Sequence, residues 1–223
     1  MKYQSDKMVS RRQRILETVQ ALLSRNDGQF TMRELARESG VATATLYNLY
    51  GSQGALIADA VADIFERRVN YSNGDPAAET ISAAITSRHK AAYDEILREP
   101  AFARKMVEIF FNSDAGDPTH DMLLRVPANF GEQQLLMARN AGDLADWVNI
   151  PVLADQMARA NYATINAWAH NEFEDAELYP RILYSSFFMI VGALTGDSRR
   201  DVEQALADIK QQWPGADQSA LSA

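Results

Sequence analysis

The sequence contains no cysteine, which excludes disulfides, thiol nucleophiles and thiolate metal sites and suits a reducing compartment. Glycine and proline are sparse, 11 and 7 in 223 residues, which argues against collagen-like, disordered and low-complexity chains. No stretch alternates apolar and polar residues over the five or so positions a strand needs. The apolar, uncharged run at residues 182–196 is fifteen residues with two serines, short of the ~18 to 20 that span a bilayer; it reads as a buried helix. The N-terminal MKYQSDKMVSRRQRIL is basic but lacks the apolar core and small-residue cleavage site of a secretory signal. The expected location is therefore the cytoplasm, with no membrane partner.

Catalytic signatures are missing too. There is no G-x-S-x-G elbow, no glycine loop that would cradle phosphate and no H-E-x-x-H. The three histidines stand at 89, 120 and 170 without paired spacing, so no metal and no cofactor is expected. The acids around His170, namely Glu172, Glu174 and Asp175, read as a solvated turn. An enzyme is not expected; a small-molecule-modifying enzyme and a purely structural helical interaction protein stay as the alternatives.

What is present is a globular composition, 47% hydrophobic and 23% charged, with a net charge of −8. That charge is unevenly shared. Residues 1–54 carry eight Lys/Arg against five Asp/Glu, and the rest carry fourteen against twenty-five, so a +3 head sits on a −11 body. Such a chain can approach a polyanion with one end only.

Apolar residues recur at helical spacing throughout, which predicts an all-α chain of nine or ten helices. A first helix spans about Lys7 to Arg25, with Ile15, Leu16, Val19, Leu22 and Leu23 on one face. Thr31, Glu34, Phe30 and Leu35 have the spacing of a capping box with a hydrophobic staple. A short helix follows at about Thr43 to Leu49, then a fourth from Gln53 to about Tyr71. Asp75-Pro76 predicts the start of a fifth helix ending at Glu99-Pro100. Further helices are expected at about 101–112, 121–140, 152–171, 177–195 and 199–212. The domain reading is a short helical head at 1–52, a connecting helix at 53–71, a larger helical body at 72–213 and a flexible tail at 214–223.

Residues 31–50, TMRELARESGVATATLYNLY, form a capped helix, a glycine-containing turn and a second short helix, the helix-turn-helix pattern. The major groove of B-DNA admits one α-helix, and a short helix braced crosswise by another can present side chains to base edges. Leu35, Ala36, Val41 and Leu46 would lock the pair. Arg33, Thr43, Ala44, Thr45, Tyr47 and Asn48 remain outside: Arg33 to fork onto guanine, Asn48 and the threonines to hydrogen-bond, and Ala44 or a threonine methyl to meet thymine. A plain helical hairpin is the alternative reading of the pattern.

The stretch Arg12 to Val69 resembles the N-terminal domain of the tetracycline-repressor (TetR) family of bacterial transcription regulators, through RILETVQALL, FTMRELARESGV and TLYNLYGSQGALI. The resemblance covers about sixty residues of 223. It implies DNA contact by Arg33, Thr43, Ala44, Thr45, Tyr47, Asn48 and Leu49, phosphate contact by Thr31, and Tyr50 as a core aromatic. One departure is Gln53, where the family usually has a phosphate-binding lysine, followed by Gly54 where an acid is common. Gln53 and the Ser52 cap still offer donors at a helix N-terminus. The basic arm, with Lys2, Lys7, Arg11, Arg12 and Arg14, either compensates along the DNA backbone or is a solvated tail.

The resemblance further implies a larger C-terminal domain that dimerises and encloses a small, mainly apolar effector, with double-stranded operator DNA as the second partner and repression as the expected outcome. The helices at 152–171 and 177–195 are apolar nearly all round, so they must be covered on every side. A four-helix bundle with a second copy would cover them, through Met157, Ile165, Leu183, Phe187, Ile190 and Leu194. Pocket candidates are His89, Tyr93, Phe102, Met106, Phe110, Phe130, Met137, Trp147 and Trp168, since aromatics and methionines suit an adaptable cavity. His89, on an apolar stripe, is either a satisfied core histidine or a polar anchor. Two recognition helices reach successive major grooves only when their separation matches about 34 to 36 Å. An effector that spreads the body helices would spoil that match through the fourth helix.

Overall fold

The computed structural model describes residues 2–25, 29–71, 78–112 and 118–213. Among them the chain forms ten helices and no strand: α1 (Lys2–Leu23), α2 (Met32–Ser39), α3 (Thr43–Tyr50), α4 (Gln53–Tyr71), α5 (Ile81–Arg98), α6 (Pro100–Asn112), α7 (Pro118–Asn140), α8 (Ile150–Ala169), α9 (Asp175–Val191) and α10 (Gly196–Gln212). The all-α expectation holds. No helix of the described residues is long and apolar enough to cross a membrane.

The helix ends differ from the sequence reading where tertiary partners set them. Helix α1 starts at Lys2 rather than Lys7. Asp75-Pro76 and the segment after Pro214 lie outside the described residues, but α5 itself begins only at Ile81. Its start is fixed by Thr80, whose hydroxyl accepts from the Ala83 amide at 3.2 Å, and by Asp201 of α10, which accepts from the Ser82 amide and hydroxyl at 2.8 and 2.7 Å. Helix α8 begins earlier than expected because Asn149 caps the Val152 amide at 3.3 Å. Helix α9 ends at Val191 instead of 195. Beyond it the backbone pairs with residues 143–145, Ala145 donating to Ala193 at 2.9 Å and Thr195 to Asp143 at 2.8 Å.

The chain divides into two compact units, residues 1–70 with 98–123, and residues 71–97 with 124–223. This differs from the expected boundaries at 52 and 71, because α4 and α6 belong with the head. In the first unit α1 buries Ile15, Leu16, Val19, Leu22 and Leu23, and α4 buries Leu56, Ile57, Ala60 and Val61. The side chains of Ile64, Phe65 and Val69 lie outside the description. Helix α6 contributes Phe102, Ala103, Met106, Val107 and Phe110, and Glu99 ahead of it accepts from Gln20 of α1 at 3.3 Å.

The second unit is built on one core drawn from α5, the end of α7, α8, α9 and α10, including Ile85, Leu135, Met157, Phe187, Ile190 and Val202. A polar network runs through it. His89 Nδ1 stands 2.8 Å from the Ile85 carbonyl, which can only accept, so Nδ1 carries the proton and Nε2 accepts. Nε2 is 3.0 Å from the Ser186 hydroxyl and 3.2 Å from the Asn161 amide, tying α5 to α8 and α9. Both ring nitrogens of His89 are thus hydrogen-bonded within the unit, which favours the satisfied-histidine reading.

At the start of α10, Thr195 provides no side-chain cap; Asp143 does, accepting from the Ser198 amide at 2.8 Å. Gly196 sits at φ +54°, where a Cβ would meet the Asp143 carboxylate at 2.0 Å. Asp143→Ala should cost about 1 kcal/mol in urea unfolding, the value of a lost cap, and Gly196→Ala should cost more. Burial pushes the His89 imidazole down to about 4, opposed by the Ile85 hydrogen bond and aided by the charge of Arg88. The unfolded chain takes up that proton near the ordinary 6.5, the folded chain only near 4. Stability is therefore intact above 6.5 and falls between 6.5 and 4, with a slope approaching about 1.4 kcal/mol per pH unit. Denaturation of the wild type and of His89→Gln across that window should show the extra slope in the wild type alone.

Candidate functional site

The helix-turn-helix is assembled from local chemistry. The Thr31 hydroxyl accepts from the Glu34 amide at 3.2 Å, and the Glu34 carboxylate accepts from the Thr31 amide at 2.7 Å and its hydroxyl at 2.9 Å. That reciprocal box satisfies donors that would be orphaned at the first turn, and it holds the Glu34 carboxyl below its usual range. Phe30 and Leu35, the staple pair, are both buried. Gly40 ends α2 at φ +68°, ψ +32°, the left-handed conformation glycine adopts without a Cβ penalty. Leu35, Ala36 and Leu46 are buried between the helices, while Val41 is half-buried.

Outside, Ala44, Tyr47, Asn48 and Leu49 are exposed, Tyr47 and Leu49 by about half, and Thr43 and Thr45 are half-buried beside them. Ala44, Tyr47 and Asn48 are thus outside as the sequence reading has them, with exposed Arg33 on α2, whereas Thr43 and Thr45 are only partly exposed. Tyr50 is half-buried, and burial pushes its hydroxyl above the ordinary value.

Three expected phosphate contacts come out otherwise. The Thr31 hydroxyl is committed to Glu34. The Gln53 amide donates to the Phe30 carbonyl at 2.5 Å, fastening the start of α4 to the entrance of α2. Ser52 remains a cap, accepting from the Ala55 amide at 3.1 Å. Arg12 is latched onto α4, 2.9 Å from both oxygens of Asp59 and 3.5 Å from Asp63. Arg11 and Arg14 are exposed; the side chains of Lys2 and Lys7 lie outside the described residues.

The pocket candidates do not gather into one cavity within either unit. Phe102, Met106 and Phe110 are core of the first unit, with His120 stacked on Phe110 at 4.6 Å. In the second, Trp168 is buried and its indole donates to Asp175 at 2.8 Å. Tyr93 lies against Tyr179 at 5.3 Å. Met137 is exposed, and Trp147, 74% exposed on the loop before α8, is a surface residue rather than a cavity wall. Phe130 is covered by the Arg88 guanidinium at 3.9 Å. Arg88 went unnoticed in the sequence: it is 92% buried, and desolvation lowers its pKa to about 10, leaving it charged at neutral pH.

The six residues expected at a dimer interface are also corrected. Met157, Ile165, Leu183, Phe187, Ile190 and Leu194 are all buried within the single chain. Periodicity showed that α8 and α9 are covered, and it is their own subunit that covers these positions. The exposed large apolar side chains of these two helices are Val152 at the start of α8 and, on α9, Tyr184 and Phe188, stacked at 6.0 Å. Beside them an open groove of about 370 Å³ is lined by Ala163, Thr164, Ala167, Phe173, Arg181, Tyr184 and Trp213.

No family model matches the sequence, and no curated protein does. Solved structures do. A TetR transcriptional regulator from Rhodococcus sp. RHA1 superposes with a TM-score of 0.67 at 19% identity, covering 83% of this chain and 98% of that one. Thermus thermophilus FadR, a TetR-family repressor solved with lauroyl-CoA, gives 0.66 at 17% identity over 83% and 96%. Bacillus subtilis FadR, solved with stearoyl-CoA, gives 0.61 at 13% over 77% and 95%. With a capped helix-turn-helix at one end and ten helices in all among its described residues, this chain has the fold of the TetR-family transcriptional regulators.

Proposed function

We propose that the chain is a ligand-responsive transcriptional regulator that binds a palindromic operator as a homodimer and represses until an effector releases it. The observation that carries this is α3, a two-turn helix set across α2 with Ala44, Tyr47, Asn48 and Leu49 exposed. An exposed helix of that size, braced by a capped partner, fits one major groove. The alternatives, an enzyme or a scaffold, have no comparable constellation in their favour.

Two half-sites require two copies, and the exposed Tyr184–Phe188 face of α9 is the apolar surface on which a second copy would pack about a twofold axis. The effector reading rests on the two FadR structures solved with acyl-coenzyme A and on the aromatic and methionine content of the body. All three points where the chain passes between units, 70/71, 97/98 and 123/124, fall inside helices α4, α5 and α7, so a displacement in one unit has a continuous helix to act through. Coupling of about 1 to 3 kcal/mol between effector and DNA would be typical.

Selection from a random oligonucleotide pool should return a palindrome. On it, Asn48→Ala should lose about 1 to 3 kcal/mol against that site alone, whereas Arg14→Ala should weaken all DNA evenly and reduce the salt slope by about 1; equal behaviour of the two would refute the division into base and backbone contacts. Phe188→Glu should leave the fold intact and yield monomers in sedimentation, while Phe187→Glu, which places a charge in the core, should unfold the second unit. A folded, dimeric Phe188→Glu would move the interface elsewhere.

A further inference from the structure

What α3 can recognise in the DNA follows from what its exposed face carries, and this inference rests on the DNA-binding reading above. Residues 43–50, TATLYNLY, hold no Lys, Arg, Asp or Glu. At 100° per residue, fully buried Leu46 and half-buried Thr43 and Tyr50 mark the inner side of the helix. Asn48 and Ala44 lie opposite, one turn apart and both exposed, with Thr45 beside them; Tyr47 and Leu49 flank the face. Among the described residues the Asn48 carboxamide has no hydrogen-bond partner, so its donor and acceptor are both available.

The major-groove edges sort the base pairs by chemistry. Guanine shows two acceptors, matched bidentately by Arg or Lys, and cytosine shows a donor, matched by Asp or Glu. The outward face of α3 has none of these four. Adenine shows an acceptor beside a donor, which is the complement of a carboxamide, and thymine shows a methyl, which suits Ala. We propose that α3 reads A·T pairs, Asn48 on the N6/N7 edge of an adenine and Ala44 on a thymine methyl one or two steps away, so that any guanine in the half-site is read from α2 by Arg33. The spacing agrees: one helical turn, roughly 5.4 Å, falls between one and two base-pair steps of roughly 3.4 Å.

The test uses the full chain and the half-site returned by pool selection, in duplexes measured by fluorescence anisotropy. Replacing thymine by deoxyuridine removes one methyl and nothing else; at the pair facing Ala44 it should weaken binding about four-fold, the worth of one buried methylene, and the loss should vanish in Ala44→Gly. Replacing adenine by 7-deazaadenine removes the N7 acceptor; it should weaken wild type at least about five-fold and leave Asn48→Ala unchanged. The modified-base results on wild type do not depend on how either variant folds. A selected half-site with G·C pairs under α3, or an A·T site indifferent to both replacements, overturns this inference while selective binding keeps the regulator reading. Binding without preference for any sequence overturns the regulator reading itself.

Discussion

Eight residues are too few for a helix to persist alone in water, since nucleation costs more than two turns of hydrogen bonds return, and α3 is eight residues long with no side-chain cap at Ala42. Its existence depends on Leu46 being buried against α2. Helix α2 is no longer, but the Thr31–Glu34 box and the Phe30–Leu35 staple fix its entry. Gly40 then sets the angle at which α3 leaves. Gln53 carries the constraint onward, because its bond to the Phe30 carbonyl joins the start of α4 to the entrance of α2. The exposed face of α3 is thus positioned by a chain of fastenings from which it takes no part, leaving its own polar groups free for a partner.

That part of the molecule was legible in the sequence because each fastening is local. A capping box is four residues, a left-handed glycine turn is one, and the amphipathic stripe of α1 repeats every turn. The start of α5 was not legible, since the residue that fixes it, Asp201, is 119 positions from Ser82. Nor was the end of α9: fifteen uncharged residues favour continuing the helix, and only the pairing of Ala193 and Thr195 with residues 143–145 ends it.

Phe187 and Phe188 show the limit most sharply. They are adjacent, chemically identical and 100° apart on α9; one is 1% exposed and the other 63%. An apolar helix says that every side needs cover, and it is silent on which side its own chain covers and which it leaves exposed. Arg88 illustrates the converse. A sequence reading assigns an arginine to the surface by default, and only the fold brings Phe130 to the guanidinium. His89, one residue on, belongs to a different circuit, closed by Asn161 and Ser186 from two other helices.

The charge of the head also changes meaning once the partners are visible. Of the cations behind its +3 balance, Arg12 is held by Asp59 and Asp63, and Arg25 and Arg37 both lie within 3.6 Å of Glu38. Each phosphate neutralised contributes about 0.9 to the salt slope of DNA binding, so a head that spends its arginines internally gathers few such terms. On the proposed DNA-binding reading, affinity would then lean on Arg11, Arg14 and Arg33, on the amides at the start of α4, and on the base edges under α3. The acidic body works in the same direction. On the same reading its −11 charge, screened within about 8 Å at physiological salt, would disfavour contact of a polyanion with the body. On that reading, weak backbone attraction and a repelling body would together lower non-specific binding more than specific binding, and the uncharged face of α3 would gain discrimination from that difference without a stronger contact of its own.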